Sequence, residues 1–165
     1  MSTSDYIQKF LEKKLKEEDL RIVDLASSVD IAYSTLYSIV KGTRGNQEIS
    51  TLIKIADFFQ VTIDEIIDRK QVSNKKCKIK RVTYEEIRMN IKQFLNEKMQ
   101  ENNIDAYTLS KKLKIGETVL FDFIKEDSRK KLLSSNTLIK LADFFHVSID
   151  KIIGRIIDSP PQVKL

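Results

Sequence analysis

Chemistry in this 165-residue chain is offered by cations rather than by nucleophiles. The stretch RKQVSNKKCKIKR, residues 69–81, holds 7 basic residues and no acidic one. Positive groups at that density repel one another and keep a chain extended, and they are also what a row of phosphates attracts. Two readings therefore stand for the segment: a solvated spacer, or a strap in which Lys75, Lys76, Lys78, Lys80 and Arg81 lie along a phosphate backbone. Catalysis has no comparable foothold. A single histidine, His146, and a single cysteine, Cys77, exclude a multi-histidine site, a cysteine metal cluster and an intramolecular disulfide. There is no glycine-rich phosphate loop, no nucleophile with a histidine base and no carboxylate pair in a cleft-forming pattern. No enzymatic activity, metal or cofactor is expected. Cys77 stands among cations where oxidation is conceivable, but a lone thiol in such a stretch is more simply incidental.

The elements that must position these cations are visible in a repeat. TLIKIADFFQVTIDEII (51–67) returns as TLIKLADFFHVSIDKII (137–153), with 13 of 17 letters identical. The two halves align at an offset of 84 from Phe10/Phe94 through Lys41/Lys125, and at 86 thereafter, so KEDSRKKLLSSN is a loop two residues longer than its counterpart KGTRGNQEIS. An internal duplication divides the chain into a first domain (1–69), a basic linker (70–83), a second domain (84–157) and a tail (158–165) that carries Pro160 and Pro161. The net charge of +5 is uneven: residues 1–68 hold 8 basic and 12 acidic residues, and residues 82–165 hold 14 and 12. The excess lies in the linker. With 41% hydrophobic and 32% charged residues, short apolar runs and no leader pattern in MSTSDYIQKFLEKK, the expectation is a soluble cytoplasmic protein with no membrane partner.

Helical periodicity dominates both copies. Ile7, Phe10, Leu11 and Leu15 make one apolar stripe, and IVDLASSV and YSTLYSIVK follow as two short helices separated by DIA. Ser50 precedes the next helix as its expected N-cap, and Thr62 with Glu65 forms a capping box for the last. Five helices per copy make an all-α protein. Only CKIKRVTY alternates as a short strand would. Ala26 stands where two helices cross closely, with Leu25, Val29, Ile31, Leu36 and Ile39 as the contacts that hold the crossing. Ser110, Leu109, Leu113, Ile115, Leu120 and Phe123 are their equivalents. Phe58/Phe59 and Phe144/Phe145 belong to the cores, with one ring of each pair partly exposed, and His146 sits on the surface at a helix end.

Two short helices with a three-residue connection and a small residue at the crossing form a helix-turn-helix. DLASSVDIAYSTLYSIVKG, followed by LIKIADFFQVTIDEII, resembles the XRE-type (Cro and lambda-repressor) class of bacterial and phage regulators. The resemblance extends over each copy. It implies two tandem five-helix lambda-repressor-like DNA-binding domains, and a sequence-specific transcriptional regulator, a repressor, acting on double-stranded DNA. It also implies that the second helix of the motif enters the major groove. Carried over by position, that helix starts near Tyr33 and presents Ala32, Tyr33, Ser34, Thr35, Tyr37 and Ser38, with Lys41, Thr43 and Arg44 at its end. No acid occurs between Ile31 and Gln47. The family's polar opener of the first motif helix is replaced by Ile22 and Ala106, leaving Arg21 as a substitute phosphate anchor. The usual turn glycine is replaced by Asp30 and Lys114.

The second copy departs from this pattern. Gly116, Glu117, Thr118, Val119, Phe121 and Asp122 occupy the corresponding surface, with two carboxylates where phosphates would lie and two apolar side chains toward solvent. Lys125, Arg129, Lys130 and Lys131 remain for phosphate contact. Glu117, Val119, Phe121 and Asp122 are the expected protein interface, either pairing the chain as a homodimer that joins two first copies on a palindrome or holding a regulatory protein partner. A covalent pseudo-dimer on adjacent half-sites is the other DNA arrangement. The rival function is a protein-interaction module, an antitoxin or anti-repressor on the same scaffold.

Overall fold

The first turn of the chain is closed by a reciprocal cap. Ser2 accepts the Asp5 amide at 3.3 Å while the Asp5 carboxylate accepts the Ser2 amide at 2.7 Å, which opens α1, Thr3–Glu17. The Ser2 backbone amide, and then its hydroxyl, hold the Asp5 carboxyl below its usual range. The computed structural model describes residues 1–69, 77–125 and 131–157. The chain divides into two units, Met1–Gln71 and Val72–Leu165.

In the first unit α1 is followed by α2 (Ile22–Val29), α3 (Tyr33–Val40), α4 (Ile49–Phe59) and α5 (Ile63–Ile66). The core is aliphatic: Ile7 and Leu11 of α1, with Leu25, Leu36, Leu52, Ile55, Ile63 and Ile66, are all essentially excluded from water. α1 packs on α3 and α5, and α2 packs on α3 and α4. Phe10 meets Phe59 edge to face at 5.8 Å, and Phe58, the exposed ring, meets Phe59 at 4.9 Å. The Thr62–Glu65 capping box opens α5 as its spacing requires. Ser50 does not cap α4. The helix starts earlier, at Ile49 with Glu48 as N-cap, and Ser50 lies in its first turn with its hydroxyl 3.4 Å from the Glu48 carboxylate. The reason is apolar: starting at Ile49 carries that side chain into the core.

The second unit contains α6 (Tyr84–Glu101), α7 (Ala106–Lys112), α8 (Val119–Lys125), α9 (Ser135–Phe145) and α10 (Ile149–Ile153). Here Phe94 meets Phe145 at 5.7 Å and Phe144 meets Phe145 at 4.9 Å. His146 is the exposed C-cap of α9, in a left-handed conformation. The described residues are mostly helical, with one short ribbon where CKIKRVTY alternates. β1 (Lys78–Ile79) pairs antiparallel with β2 (Ile156–Ile157), with Lys78 opposite Ile157 and Ile79 opposite Ile156. The Lys80 amide extends the ladder to the Arg155 carbonyl at 2.8 Å. The end of the basic segment is therefore held in a ribbon and is not a free spacer, and half-buried Cys77 adjoins it. Lys75, Lys76, Arg129, Lys130 and the tail prolines lie outside the described residues.

Both units close their last helix with a buried ion pair. Arg69 reaches the Asp64 carboxylate at 2.5 Å, with the acid fully buried. Arg155 reaches Asp150, with both side chains fully buried. In each, the arginine amide also bonds the aspartate carbonyl at 2.8 Å. Gly154 follows α10 at φ +78°, where a Cβ would strike the Asn90 amide that holds the Ile153 carbonyl at 3.1 Å. Removing one partner of a buried pair strands the other charge, so Arg155→Met is expected to lower stability by about 3–5 kcal/mol. Lys13→Ala, which breaks only the exposed Lys13–Glu17 pair at 3.7 Å, is expected to change it by less than about 0.5 kcal/mol. Urea unfolding of the two variants checks both.

Candidate nucleic-acid interface

α3 is eight residues long and buries one side. Leu36, Ile39 and Val40 face the core, and Tyr33 and Tyr37 face solvent at 51% and 42% exposure. The two rings lie one helical turn apart with centroids at 5.7 Å and planes tilted by 35°. The Lys41 ammonium stands 5.7 Å from the Tyr37 ring centroid, a cation–π arrangement. Gly42 takes φ +67° and turns the chain out of the helix. Beyond it the Thr43 hydroxyl donates to the Ser38 carbonyl at 3.2 Å, and Arg44 donates to the Thr35 hydroxyl at 3.4 Å. Within α3 the Ser38 hydroxyl donates to the Ser34 carbonyl at 2.7 Å. Buried Gln47 anchors the loop through the carbonyls of Arg44 and Gly45 at 3.1 and 2.7 Å. Tyr33, Tyr37 and Lys41 thus form one cluster, and Thr35 with Arg44 and Ser34 with Ser38 and Thr43 adjoin it along the same helix.

Arg21 is engaged elsewhere. It is the N-cap of α2, without a side-chain cap, and its guanidinium grips Asp24 in a fork at 2.6 and 2.9 Å. The hydrogen bonds to Arg21 hold the Asp24 carboxyl below its usual range, and the same bonds raise the arginine. A phosphate at Arg21 must compete with Asp24.

The turn between α2 and α3 is set by Asp30, left-handed at φ 52°. Its carbonyl accepts the Lys54 ammonium at 2.7 Å. Lys114 adopts φ 52° as well, and its carbonyl accepts the Lys140 ammonium at 2.9 Å. These lysine clamps were not legible in the sequence. Both lysines follow TLI in the repeat, but nothing in local spacing ties them to a carbonyl 24 or 26 residues away.

In the second unit the corresponding surface differs in shape as well as in residue type. α8 begins at Val119, leaving Gly116, Glu117 and Thr118 in the turn before it. Val119 and Phe121 are exposed, and the Lys125 ammonium covers the Phe121 ring at 4.4 Å from its centroid. Glu117, Asp122 and Lys131 are exposed. Ser110, equivalent to Ala26, is fully buried, and its hydroxyl has no hydrogen-bond partner among the described residues.

Comparison with known proteins gives this geometry its family. The model of the Cro/C1-type HTH DNA-binding domain matches residues 11–71, from within α1 through α5. An uncharacterized HTH-type transcriptional regulator of Rickettsia conorii is 38% identical over 77 residues, 45% of this chain and 71% of that protein. One of Rickettsia prowazekii is 38% identical over 77 residues, 45% of this chain and 84% of that protein. The chain belongs to the family of HTH-type transcriptional regulators. In this chain α2, the turn Asp30–Ala32 and α3 all fall inside the matched domain. No solved structure matches the chain significantly. Among its described residues no helix is long and apolar enough to cross a membrane, and no cluster of metal-ligating side chains occurs.

The left-handed turn yields a test. Asp30→Val places a β-branched residue at φ 52° and is expected to cost about 1–2 kcal/mol. The lost Lys54–Asp30 side-chain pair, 3.6 Å apart and exposed, contributes little. Asp30→Gly is expected to keep wild-type stability to within about 1 kcal/mol. Urea midpoints of the two variants separate backbone strain from charge.

Proposed function

We propose that the chain is a sequence-specific transcriptional repressor of the cytoplasm that lays α3 in the major groove of double-stranded DNA. Tyr33, Ser34, Tyr37 and Ser38 then meet base edges, and Lys41, Thr43 and Arg44 meet phosphates. The observation that carries the proposal is the surface from Ala32 to Asn46, which has exposed tyrosines and cations and no carboxylate. Residues 84–157 act as a second domain of the same kind with another task. Glu117 and Asp122 repel a phosphate backbone, so this domain pairs two chains as a homodimer and two α3 helices read a palindrome. The tether raises the local concentration of one reader beside the other. Lys78 in the ribbon and Lys80 and Arg81 just beyond it, with Lys125 and Lys131, add phosphate contacts.

A second reading is favoured by exposed Val119 and Phe121. Under it the chain is a protein-interaction module, and α8 binds a regulatory protein partner. Salt separates the two, because counterion release makes phosphate binding fall steeply with salt and an apolar protein contact does not respond in that way. In-vitro selection with the full chain is expected to enrich a palindrome. On that site Lys41→Ala is expected to reduce the slope of log affinity against log salt by about 1, and Tyr37→Ala with Lys41→Ala to abolish specific binding. Specific binding that survives the double change refutes the assigned face, and a strict monomer by sedimentation, on and off DNA, refutes the pairing.

A further inference from the structure

What α3 can distinguish on a duplex is limited by its own side chains. Paired hydrogen bonds to guanine need Arg or Lys, and those to adenine need Asn or Gln. From Ala32 to Val40 the chain reads AYSTLYSIV and has none of the four. Its small hydroxyls are partly committed as well. Ser38 spends its one proton on the Ser34 carbonyl at 2.7 Å and keeps only acceptor lone pairs, and the Thr35 hydroxyl already accepts from Arg44 at 3.4 Å. Direct readout by hydrogen bonding is therefore thin on the helix itself.

What the helix does offer is an apolar slab. The Tyr33 and Tyr37 rings are half exposed and adjacent along the axis, with centroids 5.7 Å apart and planes tilted by 35°, and Leu36 between them in sequence is buried. Such rings present rigid contact area at low entropic cost. The apolar feature that bases present in the major groove is the thymine C5-methyl group. We infer that the Tyr33–Tyr37 ring pair reads thymine methyls, so that each half-site carries A·T pairs whose thymines face α3. The hydroxyl acceptor of Ser38 then suits the exocyclic amino group of an adenine, and Lys41 and Arg44 hold the flanking backbone. The inference rests on the proposal that α3 enters the major groove.

Deoxyuridine tests it, because replacing thymine by uracil removes the methyl group and leaves base pairing intact. With the full chain and its selected site, each thymine is replaced in turn and affinity is measured by fluorescence anisotropy at fixed salt. Uracil is expected to weaken binding about fourfold at one or two positions per half-site, the value of one buried methyl. Tyr33→Phe and Tyr37→Phe are expected to keep that penalty. Tyr33→Ala or Tyr37→Ala is expected to erase it at one position and leave it at others, a position-specific coupling that general loss of stability does not produce. Specific binding by the wild-type chain with uracil tolerated at every position overturns the inference and leaves the groove-binding proposal standing. Phe variants that lose discrimination as the Ala variants do overturn it too, since the phenol hydroxyls then carry the reading. Selection that enriches no sequence overturns both.

Discussion

Eight residues do not form a stable helix in water by themselves, because nucleation orders several dihedral angles for its first hydrogen bond. The existence of α3 therefore depends on burying Leu36, Ile39 and Val40 against α1 and α2. That seam also decides what α3 displays. With three side chains committed to the core at helical spacing, Tyr33 and Tyr37 have no direction left but outward. The crossing must be held as well, and small Ala26 allows the close approach. The left-handed residue Asp30 reverses the chain in three residues, and Lys54 holds its carbonyl.

The repeat shows which interactions such a domain cannot easily exchange. The edge-to-face phenylalanines, the buried aspartate–arginine pair and the lysine on the turn carbonyl occur in both units at equivalent positions. The aspartates are fully buried, so changing the arginine alone carries a penalty, whereas the lysine on the turn carbonyl is exposed and repeats with the turn it holds. The displayed positions are coupled only to near neighbours in the chain. Tyr33, Tyr37 and Ser38 stand where the other copy has Glu117, Phe121 and Asp122. The repeated contacts lie beneath the surface, and the residues that differ lie on it.

Much of the helix-turn-helix was legible because it is local. The periodicity of IVDLASSV and YSTLYSIV matches α2 and α3, and the Thr62–Glu65 spacing marks the start of α5. The features that local spacing does not settle share a different cause. Ser50 is a better cap by residue type than Glu48, but burial of Ile49 decides where α4 begins. Asp64 and Asp150 look like ordinary acids in a first helical turn, where the helix dipole favours them on the surface. Nothing nearby reveals that each is fully buried against an arginine five residues on. The alternation in CKIKRVTY is a weak strand signal alone, and it becomes a strand because Ile156 and Ile157 supply its partner.

The sequence by itself determined the duplication, the helix-turn-helix spacing and the absence of acid from the face of α3, since each is a property of residues close together in the chain. Only the tertiary structure decided which of those side chains are free to act. It tied Arg21 to Asp24 and spent the Ser38 proton within the helix. It set the two tyrosine rings side by side, took the end of the basic segment into a ribbon and laid Lys125 over Phe121. Spacing can bring such groups within reach of one another, but rotamers, burial and strand pairing select the contact that forms. Those are set by the packed core and by partners as distant as the 63 residues between Asn90 and Ile153.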